Sequence, residues 1–301
     1  MANAEKEPRK KMRTSTLRAL TAASVFVVVG IGLAFATGTR TLSAIGWNSV
    51  AAICPLGALE SMLGAKTIAV RALIALVGFV IIALLVGKAF CSWVCPVPHL
   101  QNIFKSRKDK QNEAQARSKA ADRSLKRWER GESVIHEPID SRHAVLGGAL
   151  LSTAIFGFPV FCLVCPVGLI FATFILFWRL VQFNEPTIGL IVFPAILITE
   201  LLVFKRWCGA ICPLGALMSL VSKANKTLRP QVDIETCLHS KGSSCKACIS
   251  ACPERIDPIN NLGDRSLNEC IRCKSCSDVC PVGAITFPLF AKNGGKEGTK
   301  E

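Results

Sequence analysis

Four apolar stretches, Ala19 to Ala36, Ile68 to Val86, Ala144 to Val164 and Thr187 to Phe204, constrain this chain before any other feature does. Each approaches the roughly 20 apolar residues that a helix needs to cross the hydrocarbon core of a bilayer. Half of the 301 residues are apolar and the mean hydropathy is +0.40, more than a soluble domain of this length carries. Buried helices of a soluble protein are the alternative, but they seldom run so long without polar residues. The expectation is therefore a four-span membrane protein.

The net charge of +15 would suit nucleic acid, but its placement points elsewhere. Lysine and arginine crowd the N-terminus (Lys6, Arg9, Lys10, Lys11, Arg13), the loop from Lys105 to Arg142, and the chain after Lys205. The two intervening connections hold only Arg40 and Lys66 in one and Arg179 in the other. By the positive-inside rule both termini and the basic loop are cytoplasmic, facing anionic lipid, with no nucleic-acid partner. Four spans satisfy this and five do not. The apolar run Val167 to Phe183 is then expected to lie at the outer surface or re-enter from it. The first span reads as a retained signal anchor in a bacterial or archaeal cytoplasmic membrane.

Aligned on their cysteines, the two halves of the apolar region are alike. The first runs span, Cys54-Pro-Leu-Gly, span, Cys91-x3-Cys95-Pro; the second runs span, Cys165-Pro-Val-Gly, span, Cys208-x3-Cys212-Pro. This is a parallel duplication of two spans each, and a pseudo-two-fold axis along the membrane normal would bring equivalent cysteines together. The expected organisation is a basic N-terminal segment (1–18), membrane repeat 1 (19–98) and a basic cytoplasmic loop (99–143). Membrane repeat 2 (144–225), a C-terminal cysteine-rich domain (230–290) and a tail (291–301) follow. Within the loop, Gln101 to Arg142 is polar, with helical propensity but little apolar periodicity, and reads as a solvated hairpin or a partly disordered linker.

Fifteen cysteines on a chain facing the reducing cytoplasm indicate metal ligation rather than a disulfide framework. Cys270-x2-Cys273-x2-Cys276-x3-Cys280-Pro matches the bacterial ferredoxin run, in which the fourth cysteine ligates the other cluster of a pair. Its counterpart is Cys237-x7-Cys245-x2-Cys248-x3-Cys252-Pro, with five extra residues after the first ligand. Two [4Fe–4S] clusters are expected. The first takes Cys237, Cys245, Cys248 and Cys280, with a [3Fe–4S] form open because of the insertion; the second takes Cys270, Cys273, Cys276 and Cys252. A zinc ribbon is the alternative, but it needs four ligands rather than two interlocked sets.

In each Cys-x3-Cys-Pro motif the spacing of four places both thiols on one helix face. Two halves together supply Cys91, Cys95, Cys208 and Cys212, a set expected to hold a further iron–sulfur or other metal centre at the membrane surface. Two dithiol pairs, or thiols that only pack, are the alternatives. Cys54, Cys162 and Cys165 are expected on the outer side, as a shared cofactor site or with Cys162 and Cys165 as a disulfide. Glu200 lies inside the fourth span, where a carboxylate is costly unless it is functional or paired, and it is the candidate for handling quinol protons, with pairing to Lys205 as the alternative. Arg71 reads as an interfacial anchor, and His99 and His143 as surface groups able to accept a proton or bind metal.

Taken together, the four spans, the two Cys-x3-Cys-Pro motifs and the C-terminal double ferredoxin resemble the NapH/MauN-type membrane ferredoxins over nearly the whole chain. The resemblance implies an all-α four-helix transmembrane region of two parallel two-span repeats, followed by an α+β 2[4Fe–4S] ferredoxin-like domain. It also implies a quinol dehydrogenase component. Such a component takes electrons from menaquinol or ubiquinol to a periplasmic iron–sulfur or cytochrome partner, with a second ferredoxin subunit as a further partner. Membrane polyferredoxins that act in metalloenzyme maturation or redox regulation are the alternative. A transporter is disfavoured because few polar residues line the spans.

Overall fold

The computed structural model describes residues 14–35, 44–47, 50–67, 70–132, 141–158, 161, 164–184, 187–204, 207–225 and 227–289. Helix α1 (Thr14–Phe35) leads to a hairpin of β1 (Ala44–Trp47) and β2 (Val50–Ile53), with Trp47 paired to Val50. A short helix, α2 (Pro55–Ala65), then precedes α3 (Val70–Val86). A tight 3-10 turn, Gly87–Ala89, joins α3 to α4 (Phe90–Trp93), and α5 (Val97–Phe104) follows. The run Ala72–Phe104, which takes in most of α3 and the short helices after it, is the one among the described residues that is long and apolar enough to cross a membrane. Much of its surface is apolar and exposed, with Ile74, Val77, Ile81, Ile82 and Leu85 all facing outward.

The chain continues through α6 (Arg107–Glu129), α7 (Ser141–Phe156), α8 (Pro166–Phe183), α9 (Gly189–Val203), α10 (Trp207–Ala210) and α11 (Pro213–Ser222). Each of the four expected apolar stretches is thus helical at its core. Two differences stand out. The stretch Ala144 to Val164 is not one helix, because Gly157 takes φ +74, a left-handed conformation open to glycine, and ends α7 there. The run Val167 to Phe183 is a full helix, α8, that packs along α9 and against α1, where Phe26 meets Phe171 and Phe174 at ring distances of 5.7 and 6.0 Å.

The course of α2 explains how both features fit. Its first turn packs beside Leu146 and Leu150 of α7 and Ala216 of α11, whereas its last turn reaches Gly157 at the opposite end of α7. The start of α7 lies against the C-terminal domain, since Arg142 pairs with Glu269. Helix α2 therefore begins partway along α7 and runs away from that domain. The hexapeptide Cys-Pro-Leu-Gly-Ala-Leu occurs identically at 54–59 and 212–217, and the two helices it opens, α2 and α11, pack on each other.

Helix α6 overturns the expectation of a linker in 99–143. It is a single 23-residue helix laid across the C-terminal domain. Ala120, Ala121 and Ser124 are buried on one side, small enough for close approach to α12 (Ala247–Ala251). Ser124 Oγ donates to Asp257 Oδ2 at 2.5 Å, Arg123 pairs with Asp264 at 2.6 Å, Arg127 donates to the carbonyls of Leu262 and Gly263, and Lys246 pairs with Asp122.

The C-terminal domain has little regular structure. A two-residue ladder pairs β3 (Gln231–Val232) with β4 (Ile285–Thr286), and α12 and α13 (Ser275–Asp278) flank it. Its core joins Cys248, Ile249 and Ile285 to Ala121 of α6. With so few apolar residues, this domain depends on what its cysteines hold.

Candidate metal centres

Cys237, Cys245, Cys248 and Cys280 line a single cavity in the C-terminal domain, otherwise walled mostly by apolar residues such as Val232, Ile259 and Ile285. This is the set expected for the first cluster, and the x7 insertion does not carry Cys237 away from it. Turns take up the extra length: Lys241 N–H donates to the Cys237 carbonyl at 3.2 Å and Gly242 N–H to that of His239 at 3.0 Å. The second set also assembles, with Cys252, although it is 18 residues upstream of Cys270, lying within electrostatic reach of Cys270 and Cys273, and Cys276 within reach of both as well.

The donor chemistry fits an iron–sulfur cluster. Burial pushes the Cys248 and Cys276 thiols up to about 12, and neighbouring charges add to it: Asp257 and other cysteines at Cys248, Cys273 and Cys270 at Cys276. Crowded thiolates in such a place need a cationic centre to stabilise them. None of the fourteen described cysteines forms a disulfide. Among the described residues no three His, Cys, Asp or Glu side chains converge tightly enough to hold one ion. The thiols of the first set instead line one cavity, as a cube of iron and sulfide requires.

In the helical body Cys91, Cys95, Cys208 and Cys212 are mutually within electrostatic reach, as the duplicated motifs predict. The expectation for Cys54 and Cys165 is corrected. Cys54 packs beside Ala216 and Leu217 of α11 and lies within reach of Cys212, and Cys165 lies within reach of Cys54, Cys95 and Cys212. They adjoin the Cys-x3-Cys-Pro set instead of forming a separate outer site, because α2 and α8 begin beside it. Cys162 lies outside the described residues.

Cys-Pro is the device that aims these thiols. Cys54, Cys165 and Cys212 each stand just before a helix that opens with proline, so the missing proline N–H falls where no partner exists anyway. The free N–H groups two and three residues on lie near the sulfur and lower the cost of a negative charge there: Leu56 and Gly57, Val167 and Gly168, Leu214 and Gly215. Gly215 N–H donates to Cys212 Sγ at 3.4 Å. At Cys95 only Val97 does so, since Pro98 replaces the glycine. Helix N-termini favour negative charge, so each thiolate sits at a positive end.

Between the two regions stands Glu254, within electrostatic reach of Cys91 and Cys208 on one side and of Cys252 and Cys270 on the other. It pairs with Arg265, whose second nitrogen donates to the Gly209 carbonyl at 2.6 Å. A buried network fixes the same junction. Glu269, the residue before Cys270, binds Lys88 at 2.5 Å and Arg142 at 2.8 Å and accepts from Ser219. Burial pushes the Glu269 carboxyl up, but the Lys88 charge, hydrogen bonds from Lys88 and Ser219, and Arg142 outweigh it and hold the group down to about 2. Arg272 fills the space over Gly87, donating to Asn225 Oδ1 at 2.6 Å and the Cys270 carbonyl at 2.7 Å. A Cβ on Gly87, already at φ +63, would collide with that guanidinium.

Glu200 is buried in α9, and neither carboxylate oxygen has a hydrogen-bond partner among the described residues. Glu60, not singled out from the sequence, is fully buried on α2 within electrostatic reach of Cys54. Its signal was legible: it is the lone carboxylate of an apolar helix. Among the described residues His99 Nε2 and His143 Nδ1 are buried without hydrogen-bond partners, and the Arg71 side chain lies outside the described residues.

Known proteins carry the same signatures. A family model described as a 4Fe-4S binding domain matches residues 68–112 and 185–231, and a second 4Fe-4S binding domain model matches 266–286. The first therefore takes in both Cys-x3-Cys-Pro motifs and leaves out Cys54 and Cys165. The methylamine utilization ferredoxin-type protein MauN of Methylorubrum extorquens is 30% identical over 254 residues, covering 79% of this chain and 75% of that protein. The ferredoxin-type protein NapH of Escherichia coli is 25% identical over 265 residues, covering 84% and 80%. YccM of Escherichia coli, whose name proposes a role in electron transport, is 31% identical over 220 residues, covering 72% of this chain but 56% of YccM. No solved structure matches.

Proposed function

The chain belongs to the NapH/MauN family of ferredoxin-type proteins, and from that premise we propose that it is the membrane subunit of a quinol dehydrogenase. It would take electrons from menaquinol or ubiquinol and pass them to an iron–sulfur or cytochrome partner of a respiratory or periplasmic enzyme, through or beside a second ferredoxin subunit. The coarser character, an iron–sulfur electron-transfer protein with 4Fe-4S binding domains, is the starting point. Bound iron–sulfur clusters supply the one-electron carriers by which a two-electron quinol gives up its electrons singly.

In this reading Cys237, Cys245, Cys248 and Cys280 hold one [4Fe–4S] cluster, and Cys270, Cys273, Cys276 and Cys252 hold the other. Cys91, Cys95, Cys208 and Cys212 hold a third centre at the membrane surface. Glu200 takes a quinol proton, a task that suits a buried carboxylate with no hydrogen-bond partner among the described residues. Helices α1, α3, α7 and α9 are the four spans, with α2 and α8 re-entering from the outer side and both termini cytoplasmic. The outward apolar faces of α3, α8 and α9 then contact lipid.

The observation that carries the reading is continuity. One carboxylate, Glu254, lies within electrostatic reach of cysteines from both the helical body and the second ferredoxin set, so the two groups of thiols flank a common residue. The test is anaerobic purification in detergent, iron and sulfide counts, and EPR during addition of a soluble menaquinol analogue. Reduction that is lost in Cys91→Ala or Cys208→Ala, with the C-terminal signals intact under dithionite, supports quinol oxidation. Reduction by dithionite and by no quinol tested overturns it and favours a role in metalloenzyme maturation or redox regulation.

A further inference from the structure

The loop between Cys237 and Cys245 carries one side chain that the proposed electron path leaves unused. His239 is 6% exposed, and it lines the cavity formed with Cys237, Cys245, Cys248 and Cys280. Neither of its ring nitrogens has a hydrogen-bond partner among the described residues. Every other residue lining that cavity is apolar or one of the four cysteines. A buried imidazole without partners loses its hydration for nothing, so the arrangement calls for an acceptor inside the cavity.

The ring is held in place from both sides. The carbonyl of His239 accepts from Gly242 N–H at 3.0 Å, and Ser243 Oγ donates to the Leu238 carbonyl at 2.7 Å, closing the loop behind it. Trp128 of α6 lies against the imidazole with ring centroids 5.0 Å apart and planes at 59°. Such support on two sides is what a group that must keep its direction requires.

We propose that the His239 ring N–H donates a hydrogen bond to a sulfur of the cluster held by Cys237, Cys245, Cys248 and Cys280, and so raises that cluster's reduction potential. The inference rests on the reading that these four thiols hold a cluster. Reduction adds an electron to the cluster, and a donor aimed at its sulfur stabilises the added negative charge. His239 is in this sense a positioning residue for the electron, favouring its arrival at the cluster farther from Glu254.

The experiment is an anaerobic EPR redox titration of the full-length protein in detergent, comparing wild type with His239→Leu and His239→Gln. His239→Leu should lower the reduced-to-oxidised ratio of this cluster at a fixed potential by about tenfold, which is 59 mV for a one-electron couple. His239→Gln retains an N–H donor and should recover part of the shift, while the Cys270 cluster stays where it was. An unchanged midpoint in a cluster that still assembles overturns the proposal and leaves His239 as packing. If His239→Leu loses the cluster, hyperfine spectroscopy of the reduced wild type labelled with 15N-histidine decides. A weak nitrogen coupling supports the hydrogen bond, whereas no coupling, or the strong coupling of a direct iron ligand, overturns it. The underlying reading fails separately, if Cys237→Ala leaves the iron count and the EPR spectrum unchanged.

Discussion

The two cysteine-bearing regions solve one problem in opposite ways. In the C-terminal domain, three thiols of each expected set lie close together in sequence, Cys270, Cys273 and Cys276 in one and Cys237, Cys245 and Cys248 in the other, and a single thiol, Cys252 or Cys280, crosses over to complete each. In the helical body, Cys54, Cys91, Cys95, Cys165, Cys208 and Cys212 come from elements scattered over half the chain, and long-range packing, such as that of α11 on α2 and α3, brings them together. The first site is written in spacing and the second in topology. Metal loss should therefore have different causes in the two places.

The largest effect that sharpens this contrast is all-or-none. Cys273→Ala should abolish the EPR signal and iron of one C-terminal cluster while helix content and the membrane-surface thiols stay unchanged. Progressive loosening of the helices with harsher detergent should do the reverse, emptying the helical site first; loss of the C-terminal iron first would break the comparison. Next comes the junction between the regions. Glu269→Gln leaves Lys88 and Arg142 buried with a weakened partner and should cost about 3–5 kcal/mol, read as a fall in unfolding temperature.

Acid should reproduce part of that loss. The Glu269 carboxyl is held at about 2 against an ordinary value of 4.5, so its contribution is complete above that ordinary value and disappears as the pH falls toward 2. That depression corresponds to about 3 kcal/mol, and Glu269→Gln should flatten the pH dependence of stability across this window. The smallest effect lies in the clamp: Ala121→Leu overfills the contact between α6 and α12 and should cost about 1–3 kcal/mol without changing either midpoint potential.

What was legible in the sequence follows the same division. The eight candidate ferredoxin ligands could be named because most of their spacing is local; Cys237, Cys245, Cys248 and Cys280 line one cavity, and Cys252 lies within electrostatic reach of Cys270 and Cys273. Cys54 and Cys165 could not be placed, since hydropathy reports how long a segment is and not where it turns back. Helix α6 was hidden for a different reason. Its buried stripe is Ala120, Ala121 and Ser124, and its hold on the domain is made by Arg123, Arg127 and Asp122, residues that any apolar periodicity discounts. Gly87 and Gly157 carried no visible meaning until the guanidinium of Arg272 and the end of α7 supplied it.

The strap that α6 lays across the ferredoxin domain also decides what kind of carrier this can be. A ferredoxin on a loose tether searches a volume set by the tether's length and meets its partner at an effective concentration set by that length. Here Ser124, Arg123 and Arg127 fasten the domain along a rigid rod, and Glu269 seats it on the helices. It cannot swing out to deliver an electron. The partner must come to a fixed exit, and lengthening the segments that flank α6 would gain nothing in turnover while that helix remains fastened.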